Sequence, residues 1–482
     1  MSINDSIQQM PQFRVLSDRQ IEEVYLATLE CLKRTGVEIR NATARELLAA
    51  AGARVDGARV RIPPPVIQDA VAAVPRSFTL WGRDGEHRLD IAPGCVYFGP
   101  GPTCTYFVDP ETGERRPTRR GDPGLTALVC DALENIDYAM GLGLMSDVTP
   151  TLAPVYEFAE MVANTGKPVL PWAYSLQNVL DIYRIALAVA GREEVLRQRP
   201  FFALFATFQA PLVHTEEDLC NVLWAVEHGI PVVYLGGGTA GATAPVTGAG
   251  TLVISLAGAL SGLAILQLQK RGAAVCLGAV PQAMDLRTAR PAYGGPEMSL
   301  YSAAMADICR YLGVPFMGTA GASEAKVLDL QAAIESTVQV LLSALSRTAL
   351  VHDVGFLDGA DIGSLELLVM SDEVIAMVKR IMRGIEVNAD TLMLDLIDQV
   401  GPGGEFMSAR ETARRCRAEI WHPTLWDREP WENWEAAGSL GMPDRIRARL
   451  REILATHTPP PLPRGVAEEI EAILMEAEAR EK

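Results

Sequence analysis

Short, unbroken apolar runs recur along the middle of this chain, separated by longer stretches in which apolar and polar residues alternate with helical spacing. The apolar runs fall at 95–99, 138–146, 168–174, 201–209, 231–236, 273–280, 314–318 and 348–352. Each run from the second onward is followed by helix-compatible sequence of ordinary crossover length. The first is followed by a polar turn, DPETGERRPTRRGD, and then by helical sequence at 122–133. Continuous apolar character, as opposed to strict two-residue alternation, marks parallel strands covered on both faces. Eight strand–helix units predict an α/β chain folded as a (β/α)8 TIM-type barrel over residues 95–384. An open doubly wound sheet is the alternative.

The flanks have a different pattern. Residues 1–94 read as an N-terminal helical and mixed cap. An amphipathic stretch at 21–35 stops at Gly36, and prolines 63–65 open a second helix, since proline is tolerated in the first helical turn. After Arg383 the strand signal ends. Residues 385–482 read as a C-terminal helical extension with an aromatic island, WHPTLWDREPWENW, at 421–434 and a stiff PPPLP linker at 459–463. Residues 245–269 contain no charged side chain and are long enough to cross a bilayer. The strand-like segments on both sides make this stretch a buried core helix of a soluble repeat.

Composition narrows the possible partners. The chain has 482 residues, 49% of them hydrophobic, which suffices for a large core, and a formal net charge of −17. So acidic a surface argues against nucleic acid and anionic membranes as partners. The first residues, MSINDSIQQM, lack the basic start and apolar run of a secretory signal. The eight cysteines include no CxxC pair and read as reduced thiols, so a cytoplasmic location is expected. A barrel of this size is expected to form homo-oligomers.

Candidate chemistry is sparse. The six histidines are dispersed, no Cys/His cluster has metal-ligand spacing, and there is no phosphate loop or nucleophile elbow. No metal and no tightly bound cofactor are expected. GGGTAG at 236–241 fits a dinucleotide pattern, but no acidic residue follows at the required distance. It reads as a flexible loop whose glycines could let a cofactor approach the backbone.

In a barrel the active site lies at the C-terminal ends of the strands. The residues at those ends include Tyr97, Phe98, Trp172, Tyr174, Gln209, Asp285, Thr319 and His352. This rim is rich in aromatic, amide and glycine residues and poor in charge, which suits a soft cation. His352 is the catalytic candidate. Asp353 follows it directly, and adjacent strand residues point to opposite faces, so the two are not expected to pair. Glu297 lies in the loop sequence after the sixth strand, and Ser323 reads as a helix N-cap.

Several stretches carry a family resemblance. They are RTGVEI, DPETGERRPTRRGD, ALENIDY, NTGKPV, GIPVVYLGGGTAGATAPVTGAGTL, the segment from GGPEMSLY to LDLQAAIE, and VGPGGEFMSARET. In this order they resemble the trimethylamine methyltransferase family. The resemblance implies a barrel enzyme that moves a methyl group from an amine to Co(I) of a corrinoid carried by a separate small protein. In the family's founding members the segment 314–335 carries pyrrolysine, and the matching position here is Leu330. An aliphatic side chain forms no adduct with an amine. The resemblance is therefore to the non-pyrrolysine branch, which acts on glycine betaine and related quaternary amines.

The site residues expected on this reading are His352 for catalysis and Tyr97, Phe98, Gln209, Asp285, Glu297, Thr319, Leu330 and Phe356 for substrate. Gly236, Gly237, Gly238, Gly278, Gly318 and Gly321 are the residues expected to border the corrinoid. One departure concerns substrate choice. Where many relatives read roughly N-A-E after APVT, this chain has Ser255-Leu256-Ala257-Gly258. A different barrel enzyme, a lyase or isomerase, and a non-catalytic binding protein are the competing functions.

Overall fold

Six parallel strands and two bridged segments form a ring in a computed structural model that describes residues 11–482. Six of them make a continuous parallel sheet in the spatial order Tyr97–Phe98, Leu350–His352, Phe316–Thr319, Val275–Gly278, Val232–Leu235, Leu204–Thr207. The last two are short bridged segments. Ala139 pairs with Val169, and Val169 with Phe202, both in parallel. The ring closes where the Asp137 amide donates to the Phe98 carbonyl at 2.7 Å. Six of the eight expected strands form the sheet, the second and third are reduced to bridges at Ala139 and Val169, and a helix follows each of the eight, from Asp122–Ala132 to Leu365–Met382.

Alternation along the strands sorts the core into two layers. Tyr138, Leu170, Phe205, Val233, Cys276, Met317 and Leu350 point into the barrel, whereas Phe98, Ala139, Val169, Val232, Val275 and Val351 pack against the helices. The hairpin Phe78–Trp81 and Arg88–Ile91 sends Leu80, Leu89 and Ile91 into the interior cluster. It plugs the end of the barrel at which the strands begin. The opposite end is edged by two small sheets. One joins Thr239–Ala240, Gln282–Asp285 and Arg290–Pro291. The other joins Tyr106–Val108, Arg115–Pro117, Phe356–Leu357 and Ile362–Gly363.

The helix Gly248–Gln269 is long and apolar enough to cross a membrane by length and composition, but 78% of its most apolar stretch is buried inside the protein. Helices Asp18–Arg34 and Pro64–Ala73 pack along it. Its small residues permit close approach to the barrel wall. A Cβ on Gly258 would lie 2.2 Å from the Phe208 ring, and one on Gly262 would lie 2.2 Å from that of Tyr234. All eight cysteines are free thiols. In the aromatic island Arg428 stacks over Trp421 at 5.4 Å, and Trp421 meets Trp426 edge-on.

Candidate active site at the barrel mouth

His352 ends the eighth strand. It has the inward parity of Leu350, so its ring enters the barrel near the mouth, where it is only 4% exposed. The chain then turns sharply, because Asp353 takes φ 77°. That left-handed turn departs from strand geometry and brings the Asp353 side chain back beside its neighbour. His352 Nδ1 lies 2.5 Å from Asp353 Oδ1. The expectation that adjacent residues would not pair is corrected here: alternation holds only while the backbone stays extended. Thr319 Oγ1 donates to Asp353 Oδ2 at 2.6 Å, so both carboxylate oxygens are engaged.

The other ring nitrogen is different. His352 Nε2 is buried and has no hydrogen-bond partner among the described residues. A buried polar atom left unsatisfied costs about 1–3 kcal/mol. The Phe205 ring meets the imidazole edge-on, with centroids 5.8 Å apart. Phe205 in turn donates its amide to the Pro171 carbonyl at 2.8 Å, next to Trp172 on the third strand. Trp172 has the inward parity of Leu170, packs against the interior cluster, and meets Tyr174 edge-on at 4.5 Å.

Behind Trp172 stands a carboxyl group that sequence reading missed. Glu157, on the helix Ala153–Asn164, is 1% exposed. Its Oε2 accepts from the Trp172 indole N–H at 2.7 Å and its Oε1 from the Gly141 amide at 3.0 Å. Burial pushes its pKa up to about 8, with the two hydrogen bonds pulling the other way. Its signal in the sequence is an acidic residue at a position where the helix is otherwise apolar, since glutamate is almost never fully buried without a partner.

Of the residues expected at the site, the mouth gathers His352 and Thr319, with Phe356 close behind. A Cβ on Gly101 would meet Asp353 Oδ1 at 2.2 Å and the Phe356 ring at 2.5 Å, so ring and carboxylate lie against the same backbone. The others sit elsewhere. Tyr97 begins its strand, and its hydroxyl accepts from the Asp90 amide at 3.2 Å, at the plugged end. Phe98 points outward into the helix layer. Gln209 is exposed on a turn bonded to Val213. Asp285 caps its own hairpin by accepting from the Arg287 amide at 2.9 Å. Glu297 is exposed in the first turn of helix Pro296–Leu312.

The six glycines expected to border a corrinoid leave no open cradle. A Cβ at Gly237 would lie 2.3 Å from the Val280 carbonyl oxygen, and one at Gly278 would lie 2.2 Å from Leu235 Cβ. Phe208, Ala244 and Ser302 close off Gly236, Gly238 and Gly318 in the same way, and Gly321 turns with positive φ against Val354. Internal packing accounts for each of them. These residues therefore do not fit a resident macrocycle.

Comparison with known proteins gives this mouth a context. The family described as trimethylamine methyltransferase (MTTB) matches residues 2–480. The chain belongs to this family. The trimethylamine methyltransferase MttB of Desulfitobacterium hafniense is 31% identical over 467 residues, covering 96% of this chain and 93% of that protein. A glycine betaine methyltransferase from another strain of the same species is 27% identical, covering 97% and 98%. Among solved structures, the monomethylamine methyltransferase MtmB of Methanosarcina barkeri shares the fold, with a TM-score of 0.55 at 14% identity, over 92% of this chain and 89% of that one.

Two family positions are corrected or explained by the geometry. Leu330 is 82% exposed and does not line the mouth. The helix Leu330–Leu345 is capped by Asp329, whose side chain accepts from the Ala332 amide at 3.0 Å, so Ser323 is not its N-cap. The buried face of this helix runs through Ala332, Ser336, Gln339 and Val340, and Leu330 falls outside it. Ser323 instead donates to Glu335 at 2.6 Å. Gly258 lies against Phe208, whose ring fills the space that a longer side chain at 258 would enter.

Proposed function

We propose that this methyltransferase takes a methyl group from a quaternary amine carrying a carboxylate, glycine betaine or a related betaine, and passes it to the corrinoid of a separate small protein. The observation that carries this reading is the buried, unpartnered Nε2 of His352, held in place by Asp353 and Thr319. A substrate carboxylate supplies the missing acceptor. Asp353 and Thr319 fix the ring, and Nε2 is the atom left free to meet that carboxylate.

A reduced corrinoid supplies the electron pair that receives the methyl group. The C–N bond breaks, its electrons return to nitrogen, and the amine leaves neutral, so no general acid is required. The task of the protein is then to orient the donor and exclude water. His352 fixes the carboxylate end, Phe205 walls the ring, and Leu80, Leu89 and Ile91 of the hairpin pack into the barrel from the opposite end. One feature supports delivery of the acceptor by a second protein: side chains and backbone already pack against the glycines. Eight free thiols support a reducing, cytoplasmic setting.

The test mixes purified protein, reduced free cobalamin and a panel of quaternary, tertiary and sulfur methyl donors, and reads methylcobalamin by its spectrum. At least one betaine is expected to turn over. If no donor does so, even with a cognate corrinoid protein, the reading is wrong.

A further inference from the structure

Glu157 is a buried acid without a counter-ion. No lysine, arginine or histidine faces it among the described residues. Burial, Trp172, Gly141 and the nearby Tyr174 account for its surroundings. The helix Ala153–Asn164 could hold an apolar residue there at no cost, whereas a lone buried carboxyl is expensive to keep. Gly141 gives it room: any Cβ at that position would lie 2.3 Å from Glu157 Oε1. The carboxyl group therefore needs a glycine on one side and an indole on the other.

What it holds is an aromatic face. Trp172 turns its N–H outward to Glu157 and its ring toward the barrel interior, and Tyr174 braces it at 89°. A carboxylate that accepts from an indole N–H pushes electron density into the ring and strengthens the negative quadrupole of its face. A cation on that face in turn stabilises the ionised carboxylate behind it. Phe205 links this wall to His352 through the Pro171 contact and the edge-on ring pair.

We propose that Trp172 is the recognition face for the ammonium group of the methyl donor, and that Glu157 is its positioning residue, acting through the indole N–H. This rests on the quaternary-amine reading above and adds the group that meets the positive charge. Donor orientation then follows: carboxylate toward His352, ammonium toward Trp172. A neutral donor of the same shape gains nothing from the indole face.

The experiment follows the quenching of tryptophan fluorescence on titration with glycine betaine and, separately, with 3,3-dimethylbutanoate, its isostere with carbon in place of nitrogen. Wild type, Glu157→Gln, Trp172→Phe and the double variant are compared, with binding to the two Trp172→Phe proteins read by calorimetry. At a pH above about 8, where Glu157 is ionised, betaine affinity is expected to fall about tenfold in each single variant, in the range of a desolvated cation–π contact. The double variant is expected to fall no further, because both changes break one link. Affinity for the isostere is expected to stay constant throughout. Melting temperatures report folding independently, and Trp172→Tyr, which keeps an electron-rich ring, is expected to recover part of the binding. A purely structural role predicts lower melting temperatures with unchanged betaine affinity, and that result overturns the proposal. Equal losses for betaine and isostere overturn it as well. Failure of every betaine to bind or turn over in the wild type counts against the functional reading itself, which separates the two.

Discussion

His352 and Asp353 are consecutive in the chain, yet their side chains meet at 2.5 Å, because the backbone leaves the strand through a left-handed turn between them. The pair lies where the eighth strand opens into the mouth, and its outer ring nitrogen is unsatisfied. His352→Ala is expected to reduce turnover more than about tenfold while the fold survives. Asp353→Asn is expected to act in the same direction with a smaller loss, because the amide keeps one contact to the ring but no longer offers two carboxylate oxygens to His352 and Thr319. Steady-state kinetics with the best betaine, alongside circular dichroism, check both. Unchanged kinetics would make the pair structural.

Glu157 makes stability depend on pH. Its folded-state pKa, raised to about 8 from 4.5, means that the folded chain keeps a proton that the unfolded chain has lost. Stability from this group is therefore full below about pH 4.5 and falls as pH rises toward 8, by about 1.4 kcal/mol per pH unit at the steepest. His214 works at the other end. It is buried between Tyr234 and Ser261, and its pKa is pushed down to about 3 by burial, so it opposes folding below about pH 6.5. The difference in unfolding free energy between wild type and Glu157→Gln isolates the first effect. A pH-independent difference from 5.5 to 7.5 would contradict it.

Leu330 is exposed at the first turn of its helix. Leu330→Ala is expected to leave donor preference unchanged and to alter stability by less than about 0.5 kcal/mol, as surface changes generally do. A shift in donor preference would return this residue to the pocket.

Gly258 is pressed against Phe208. Gly258→Ala is expected to cost about 1–3 kcal/mol, the usual penalty for overpacking. Phe208→Leu in the same chain is expected to restore much of that loss. Urea unfolding of the two single variants and the double variant measures the coupling.

Lys167 belongs to the NTGKPV stretch quoted for the resemblance. Its Nζ donates to the carbonyls of Cys130, Leu133 and Ile136 at 2.7, 2.6 and 2.6 Å, with the residue 5% exposed. It ties the end of one barrel helix to the start of the second strand. Lys167→Met leaves three carbonyls without a donor and is expected to destabilise the fold by about 3 kcal/mol or more without a specific effect on donor choice.

The strands were legible because each is a continuous apolar run, and a parallel barrel covered by helices demands that pattern. His352 and Thr319 could be found from their places at strand ends. Tyr97 and Phe98 could not be placed correctly, because a short strand does not announce which end it occupies. Tyr97 begins its strand and bonds to Asp90 at the plugged end. The Asp353 partnership was hidden by a φ value that no residue type there announces. Glu157 was hidden because its helix is read for its apolar stripe, and the one acidic residue within that stripe passes as noise until Trp172 is seen to donate to it.

The 22-residue helix Gly248–Gln269 has a consequence for how the chain is made. Its cover, the helices Asp18–Arg34 and Pro64–Ala73, leaves the ribosome well before it does. The two helices that cover this apolar segment are therefore both made before it.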